Sequence, residues 1–138
     1  MKAVVYSTQP FEKELMAKAN QKKHEITLIS NALNLQTVQF SEGKDAVIVS
    51  NKDDLSANVI NELKNLNVKY ISNRSNDTDH IDKVQASILG IKLASVSDEN
   101  HEEMAIQTIK NLDNWQAKKS AGKIGISSNP YRPKSAKD

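Results

Sequence analysis

The sequence contains no cysteine, and this absence removes several kinds of chemistry at once. Disulfide bonds, thiolate nucleophiles and cysteine metal sites are excluded. Aromatic residues make up only 4% of the chain, so the core must be built mainly from isoleucine, leucine and valine. Apolar residues never run together for the roughly 18 positions that a membrane helix needs, and no apolar signal segment opens the chain. We therefore expect a soluble, cytoplasmic protein.

What the sequence does contain is typical of one globular domain. Its 138 residues are 38% hydrophobic and 26% charged, which is enough to bury a core of ordinary size. Residues 117–138 hold six of the 19 basic residues but one of the 17 acidic residues, so the rest is mildly acidic. We predict a domain over 1–116 and a basic tail over 117–138. The tail is interpreted as a solubilising end, since basic and aromatic residues do not alternate in it as they do in nucleic-acid-binding arms.

Strand and helix patterns alternate along the chain. Short apolar runs predict five strands, and segments with apolar residues three or four positions apart predict the helices between them. The predicted strands are Lys2–Tyr6, Glu25–Ile29, Ala46–Val49, Val68–Ser72 and Ile91–Val96, and the last helix runs from about Asn100 to Trp115. This alternation predicts an α/β fold of three layers, with a mostly parallel five-stranded sheet in flavodoxin-like order.

The polar loop after the fourth predicted strand is where a ligand site is most expected. The helix that follows is predicted over residues 79–89, with Asp79 as its N-cap and Asp82 favouring its first turn. Gly90 is expected in a left-handed conformation after the helix. Ligands of α/β proteins usually bind between the carboxyl end of a parallel strand and the next helix. The predicted site is therefore residues 74–79.

The residues around this loop resemble a known family. They are similar to the substrate-binding domain of the D-specific 2-hydroxyacid dehydrogenases, above all the D-lactate dehydrogenases, in the runs KYISNRSNDTDHID at 69–82 and LGIKLASV at 89–96. The similarity extends to Pro10–Glu14 and Gly43–Val47, and it covers about residues 1–112. It implies a flavodoxin-like fold, in agreement with the alternation of strands and helices, and a relationship to NAD-dependent oxidoreductases.

In that family a second domain binds the dinucleotide and carries the catalytic arginine, glutamate and histidine. The four glycines of this chain lack the G-x-G-x-x-G spacing that lets a backbone approach a pyrophosphate; they are Gly43, Gly90, Gly122 and Gly125. We therefore expect no cofactor, no metal and no catalytic residue in this chain alone, although the family uses NAD. Without a hydride donor, the redox reaction of the family is not expected from it.

The loop that the family uses to hold the substrate carboxylate is altered here. The resemblance implies a substrate site at Arg74, Ser75, Asn76 and Asp77, with main-chain N–H groups of the last two holding the carboxylate. Asp77 replaces a glycine of the family. Turned inward, it would repel an anion 4–5 Å away by roughly 3–4 kcal/mol at an effective dielectric near 20, and by about 1 kcal/mol in water. The hinge of the family corresponds to residues 96–101 here and leads into the last predicted helix, the hinge helix. Glu99 replaces a tyrosine of this hinge and adds a second carboxylate, so we interpret the site as degenerate.

Other side chains in the sequence have plain structural explanations. His24 is expected to be exposed in a turn, and His80 corresponds to the helix start of the family. Arg74 by a loop is more typical of a structural ion pair than of an anion clamp. His101 suggests a divalent cation site with its acidic neighbours, but acidic residues also favour a helix N-terminus, and we prefer that explanation. These neighbours are Asp98, Glu99, Glu102 and Glu103.

Three functions are compatible with these observations. The first is a binding or interaction module without dehydrogenase activity, whose hinge helix would expose an apolar face to a homodimer partner or a nucleotide-binding subunit. The second is one part of a split dehydrogenase that another subunit completes in trans. The third is a weak sensor of 2-oxo acids or cations at residues 74–79. Neither a membrane nor a nucleic acid is expected as a partner.

Overall fold

The structure is a computed structural model, and it describes residues 1–96 and 100–118. Five strands and four α-helices alternate along these residues, together with one short 3-10 helix. The strands are β1 Lys2–Val5, β2 Glu25–Leu28, β3 Ala46–Val49, β4 Tyr70–Asn73 and β5 Lys92–Ser95. The helices are α1 Pro10–Asn20, α2 Ala57–Asn65, α3 Lys83–Ile88 and α4 His101–Gln116, and the 3-10 helix is Val38–Ser41. Glu99 and all but the first two residues of the predicted tail lie outside the described residues.

The described strands form one parallel sheet in the order β2-β1-β3-β4-β5. This arrangement confirms the predicted α/β fold and its flavodoxin-like order. The central strand β3 is buried at every position, because helices cover the sheet on both faces. Since all the strands point the same way, their carboxyl ends meet at one edge, and the loops that follow β1, β3 and β4 lie together there.

Alternate strand residues point to opposite faces of the sheet and build two separate cores. On one face the sheet packs against α2 and α3, in a cluster that includes Val4, Val47, Val59, Leu63 and Ile71. On the other face it packs against α1 and α4, in a cluster that includes Val5, Met16, Ile48, Ile109 and Leu112. The result is the predicted three-layer arrangement of helix, sheet and helix.

The helix after β4 starts four residues later than predicted, at Lys83 rather than after an N-cap at Asp79. Its N-cap is Asp82, whose carboxylate accepts a main-chain N–H of the first turn at 2.9 Å. Ile81 pairs with Leu55 in an isolated parallel bridge, and the N–H of Asp82 donates to the Leu55 carbonyl at 2.9 Å. This pairing keeps the chain extended where the sequence pattern predicts a first helical turn.

Other predicted boundaries agree with the structure. The predicted strand limits are within two residues of those observed. Asn100 caps α4 by accepting the N–H of Glu103 at 3.0 Å. Gly90 has a φ of +76° directly after the last turn of α3, which is the left-handed conformation predicted for it. None of the helices in the described part of the chain is both long and apolar enough to cross a membrane.

His24 is buried, so the prediction of an exposed turn residue was wrong. The side-chain amide of Asn20 fixes its main chain, donating to its carbonyl at 2.8 Å and accepting its N–H at 3.0 Å. The ring then lies between the N-terminal ammonium of Met1, at 3.1 Å, and the carboxylate of Asp113, at 2.7 Å. Because Asp113 belongs to α4, His24 connects the start of β2 to the last helix.

Candidate functional site

The loop after β4 is organised around the side chain of Asn73, the last residue of the strand. Asn73 is fully buried, and its Nδ2 donates to the carbonyl oxygens of Ser75 at 2.9 Å and Asp77 at 3.1 Å. Both carbonyls therefore point into the protein. All peptide bonds of the described residues are trans, so each N–H lies opposite its carbonyl. The N–H groups of Asn76 and Thr78 consequently point away from Asn73.

The main-chain N–H groups of this loop are available to a ligand. Those of Ser75, Asn76, Asp77 and Thr78 donate no hydrogen bond to any residue that the structure describes. Successive free N–H groups in a turn can form an anion-binding concavity. We call the N–H groups of residues 75–78 the amide cradle. Its place at the carboxyl end of a parallel strand is where α/β folds usually bind ligands.

The side chain of Asp77 is exposed and folds forward onto the next turn. Its Oδ1 accepts the N–H of Asp79 at 2.8 Å. Surrounded by water, this carboxylate would repel an anion 4–5 Å away by only about 1 kcal/mol, rather than the roughly 3–4 kcal/mol of a partly buried pair. The carboxylate that replaces the family's glycine is thus held by the next turn.

Arg74 belongs to a different set of contacts from the amide cradle. Its side chain is 4% exposed, and its Nε and Nη2 donate to the two carboxylate oxygens of Glu12 at 2.7 and 3.1 Å. Nη2 also donates to the carbonyls of Tyr6 at 2.9 Å and Ser7 at 3.0 Å. The cavity beside it has a volume of about 10 Å³, which is room for at most one water molecule. Arg74 is thus placed as a structural ion pair that ties β4 to the β1–α1 loop.

The pKa of Glu12 reflects this pairing. Burial raises the pKa, but hydrogen bonds from Arg74 and from the main chain of Gln9, together with the charges of Arg74 and His101, outweigh burial and hold it below its ordinary value. Glu12 also completes a capping box, since its carboxylate accepts the N–H of Gln9 at 2.8 Å. The ionised carboxylate neutralises the guanidinium, so the pair offers no net positive charge to a ligand.

Comparisons with known proteins identify the family. The model of the D-isomer specific 2-hydroxyacid dehydrogenase catalytic domain matches residues 3–123. The chain belongs to this family. A D-lactate dehydrogenase of Escherichia coli (strain K12) is 32% identical over 110 residues, which are 79% of this chain and 33% of that protein. The solved Salmonella D-lactate dehydrogenase matches with a TM-score of 0.70 and 31% identity, over 72% of this chain and 31% of that one.

These matches confirm the resemblance predicted from the sequence. They also show that this dehydrogenase-family chain spans about a third of the length of the relatives it matches. A third relative is the solved D-lactate dehydrogenase of Lactobacillus jensenii with NAD⁺, at 25% identity and a TM-score of 0.64, over 72% of this chain and 31% of that one.

The described residues of this dehydrogenase-family chain do not fit a dinucleotide. In the loop between β1 and α1, Ser7 and Thr8 already donate their main-chain N–H groups to carbonyls of the segment after β2, at 2.8 and 2.9 Å. The Ser7 hydroxyl donates to Asp53 at 2.7 Å. Gly43 and Gly90, the glycines within the described residues, lie in other turns. No step of hydride transfer is therefore assigned to these residues.

The residues weighed above as a cation site at the hinge, and preferred as a helix N-terminus, are only partly among the described residues. Residues 97–99, which include Glu99, lie outside the described residues. The ring of His101 packs edge-on against Phe11, with ring centroids 4.8 Å apart. Within the described part of the chain, no group of three His, Asp or Glu side chains is placed to hold a metal ion. His101 is thus accounted for by packing between the first turns of α1 and α4.

Helix α4, on which an apolar partner face was predicted, buries most of its apolar residues, and Met104 and Ile106 are half-buried. Its apolar residues Ala105, Ile109, Leu112 and Trp115 are buried against the sheet and α1. Its exposed residues are polar: His101, Glu102, Glu103, Gln107, Lys110 and Gln116. The large exposed apolar residues of the described chain lie elsewhere, at Phe11, Leu35, Phe40, Val84 and Ile88. A partner that docks on the solvent face of α4 would therefore meet a polar surface.

Two buried residues that shape the loops at this edge, Asp53 and Asn73, were not predicted from the sequence. Asp53 is buried, and its carboxylate accepts the Ser7 hydroxyl at 2.7 Å, the N–H of Leu33 at 2.8 Å and the N–H of Ser50 at 2.7 Å. Asn73 plays the same part in the next loop. Asn and Asp side chains commonly bind main-chain groups a few residues away in turns, and this tendency is the one signal that could have identified both.

Proposed function

We propose that this dehydrogenase-family domain binds the carboxylate of a small 2-oxo or 2-hydroxy acid on the amide cradle, and that it does not transfer hydride by itself. The observation that supports the proposal is the row of free N–H groups at residues 75–78, fixed at the end of β4 by Asn73. Main-chain donors need no particular side chain, so the cradle tolerates the replacement of the family's residues. The domain is then a binding module for small organic acids.

The charges around the cradle indicate weak binding. Arg74 is neutralised by Glu12, and the carboxylates of Asp77 and Asp79 are on the exposed side of the loop. The Nζ of Lys83 donates to the carbonyl of Thr78 at 3.0 Å and supplies one nearby positive charge. Hydrogen bonds to a charged group contribute about 1.5–3 kcal/mol each, and ordering the ligand offsets part of that gain. We expect a dissociation constant of about 1 mM, which corresponds to a binding free energy of about 4 kcal/mol.

Amide chemical shifts measured while ¹⁵N-labelled protein is titrated with pyruvate test this proposal. Saturable shifts centred on residues 75–78 are expected, because the ligand takes up N–H groups that are otherwise free. Acetone, which has the same carbonyl but no carboxylate, should leave these amides unchanged. The proposal is wrong if pyruvate causes no saturable shift there at concentrations of about 50 mM, well above the expected dissociation constant.

Two near-isosteric substitutions make matched controls. Asp77→Asn removes a charge but keeps the oxygen that accepts the N–H of Asp79, so the dissociation constant for pyruvate should fall by about two- to fivefold. Asn73→Asp replaces the amide that donates to the carbonyls of Ser75 and Asp77 with an acceptor, which should release the loop and abolish saturable binding. Circular dichroism of both variants shows whether the fold is kept. An Asn73→Asp protein that folds and binds pyruvate normally would contradict the assigned role of Asn73.

A second function is favoured by the length of the match. Because the chain spans about a third of its relatives, we also propose that a nucleotide-binding polypeptide completes an oxidoreductase in trans. Oxidation of NADH by pyruvate should then appear only in the mixture of both polypeptides. If the mixture is as inactive as each part alone, although the two polypeptides form a complex, this second proposal is wrong.

We also propose that the domain acts with a protein partner. We place either the nucleotide-binding polypeptide or a second copy of this chain on the polar solvent face of α4, defined by residues such as Glu103, Gln107 and Lys110. Light scattering across a range of protein concentrations tests the homodimer. A mass that stays at that of the monomer at every concentration excludes it.

A further inference from the structure

His80 connects the two loops that follow β3 and β4. Its ring is half-buried, with Nδ1 3.1 Å from the carbonyl oxygen of Asp53 and Nε2 3.1 Å from the carbonyl oxygen of Asp77. Both neighbours are acceptors. A neutral imidazole carries one N–H and can donate to only one of them, whereas the doubly protonated ring donates to both. The complete bridge between the loops therefore requires the imidazolium form.

The carbonyl of Asp77 is the point where this bridge meets the amide cradle. Besides His80, it accepts the Nδ2 of Asn73 at 3.1 Å and the hydroxyl of Ser75 at 2.9 Å. The same peptide unit carries the N–H of Thr78, one of the donors that point away from Asn73. A donor at a peptide carbonyl fixes the orientation of the peptide and polarises it, so its N–H becomes a stronger donor. The protonation state of His80 thus acts on the cradle through one peptide bond.

We infer that His80 is a positioning residue for the amide cradle, and that the affinity of the cradle for carboxylates rises when its imidazole takes up the second proton. The inference rests on the proposed function and adds to it a dependence on pH. Two effects act in the same direction: both loop carbonyls are held, and a positive charge is placed on the opposite side of the Asp77–Thr78 peptide from a carboxylate bound at Thr78.

Most of the charged groups near the ring are bound to main-chain partners. The ionisable residues on the two joined segments are Lys52, Asp53, Asp54, Asp77, Asp79, Asp82 and Lys83. The carboxylates of Asp53, Asp54, Asp77 and Asp82 each accept at least one main-chain N–H, and Lys83 donates to a carbonyl. Within the described residues, the ring itself makes hydrogen bonds to main-chain carbonyls only. Its charge is therefore not paired directly with a carboxylate.

The test is the dissociation constant for pyruvate at about pH 8 and about pH 5.5, a range in which histidine changes charge and ordinary carboxylates do not. The wild-type constant should be about three- to fivefold lower at the lower pH. His80→Gln, whose amide can donate to one carbonyl at any pH, should show the same constant at both. His101→Gln removes the other described histidine at this edge of the sheet and should keep the wild-type change with pH.

Each outcome decides between the two proposals. A wild-type affinity that does not change with pH, or a change that persists in His80→Gln, overturns the role of His80 and leaves the proposed function intact. Failure of the wild type to bind pyruvate at either pH overturns both. If His80→Gln does not fold by circular dichroism, His80→Asn is measured in the same way, because its amide is equally insensitive to pH.

Discussion

Substitution of Arg74 separates a structural role from an anion-binding role. The guanidinium makes four hydrogen bonds of 3.1 Å or shorter, two to Glu12 and one each to the carbonyls of Tyr6 and Ser7. Lysine would keep the positive charge, but its single nitrogen cannot reproduce the planar fork that reaches all three partners. We therefore expect Arg74→Lys to lose about two of the four bonds.

The cost of this loss follows from burial. The side chains of Arg74 and Glu12 are 4% and 16% exposed, so their hydrogen bonds are charge-assisted and largely dry. Such bonds are worth about 1.5–3 kcal/mol each, and Arg74→Lys should lower the free energy of unfolding by about 3 kcal/mol. Arg74→Met leaves the Glu12 carboxylate without its partner and should cost about 4–5 kcal/mol. A domain has only about 5–15 kcal/mol in total, so the methionine variant will be close to unfolding.

Urea unfolding followed by the fluorescence of Trp115 measures both variants. A double-mutant cycle of Arg74→Met with Glu12→Gln should give a coupling free energy of at least about 1 kcal/mol. Loss of pyruvate binding without loss of stability would contradict this expectation. If Arg74→Lys unfolds at the urea concentration of the wild type but no longer binds pyruvate, Arg74 is an anion clamp and its structural interpretation is wrong.

The remaining predictions concern pH, a turn and the core. The pKa of Glu12 is lowered in the folded state, so the ionised carboxylate stabilises the fold fully above the ordinary value of 4.5. This stabilisation is lost as the pH falls through the folded-state pKa. Between about pH 6 and about pH 3, the free energy of unfolding in urea should therefore fall less in Glu12→Gln than in the wild type. Gly90→Ala should lower the unfolding free energy by about 1–2 kcal/mol through its φ of +76° alone, since no atom lies within 4 Å of the added Cβ, and an unchanged melting temperature would contradict this. Trp115 stacks on Tyr70 with ring centroids 4.7 Å apart and is 4% exposed. Trp115→Ala should therefore lower the free energy of unfolding, measured by circular dichroism, by about 3–5 kcal/mol. A loss below about 1 kcal/mol would show that the stack is unimportant.

Elements with a local signal could be predicted from the sequence. Ala46–Val49 is an uninterrupted apolar run, and it forms β3 with the predicted limits because a central parallel strand is covered on both faces. Helix α4 carries its own start signal at Asn100 and an apolar spacing of three and four residues, and its predicted end was one residue from the observed one. The parallel sheet followed from the alternation of these local elements, and its flavodoxin-like order agreed with what the resemblance implied.

Features decided by distant residues could not be predicted. The start of α3 depends on a bridge between Ile81 and Leu55, which are far apart in the sequence. The burial of His24 depends on Asp113 of the last helix, although a turn rich in lysine predicts exposure. Both errors arise because a local pattern carries no information on which distant group will be the neighbour.

The candidate site lies between these two cases. Its position after β4 followed from the fold, and the resemblance identified the residues of the loop. The resemblance already implied main-chain N–H groups as the donors, but what orients the peptides could not be inferred, because it is the amide of Asn73 and not a side chain of the loop itself. The sequence showed a charged Asp77 in place of glycine, whereas the structure shows that carboxylate bound to the next turn.

Side-chain changes are therefore a poor guide to whether this site still binds a carboxylate. Arg74 runs inward to Glu12, while the main-chain N–H groups of the next four residues donate to no residue that the structure describes. Every residue except proline supplies such a donor, so substitutions at 75–78 alter the charge near the cradle without removing it. Loss of the proposed binding would then require a change in what orients the peptides, namely Asn73 and the bridge through His80. Under this proposal the determinants of carboxylate binding are the residues behind the loop, and they are the ones whose substitution should abolish or retune it.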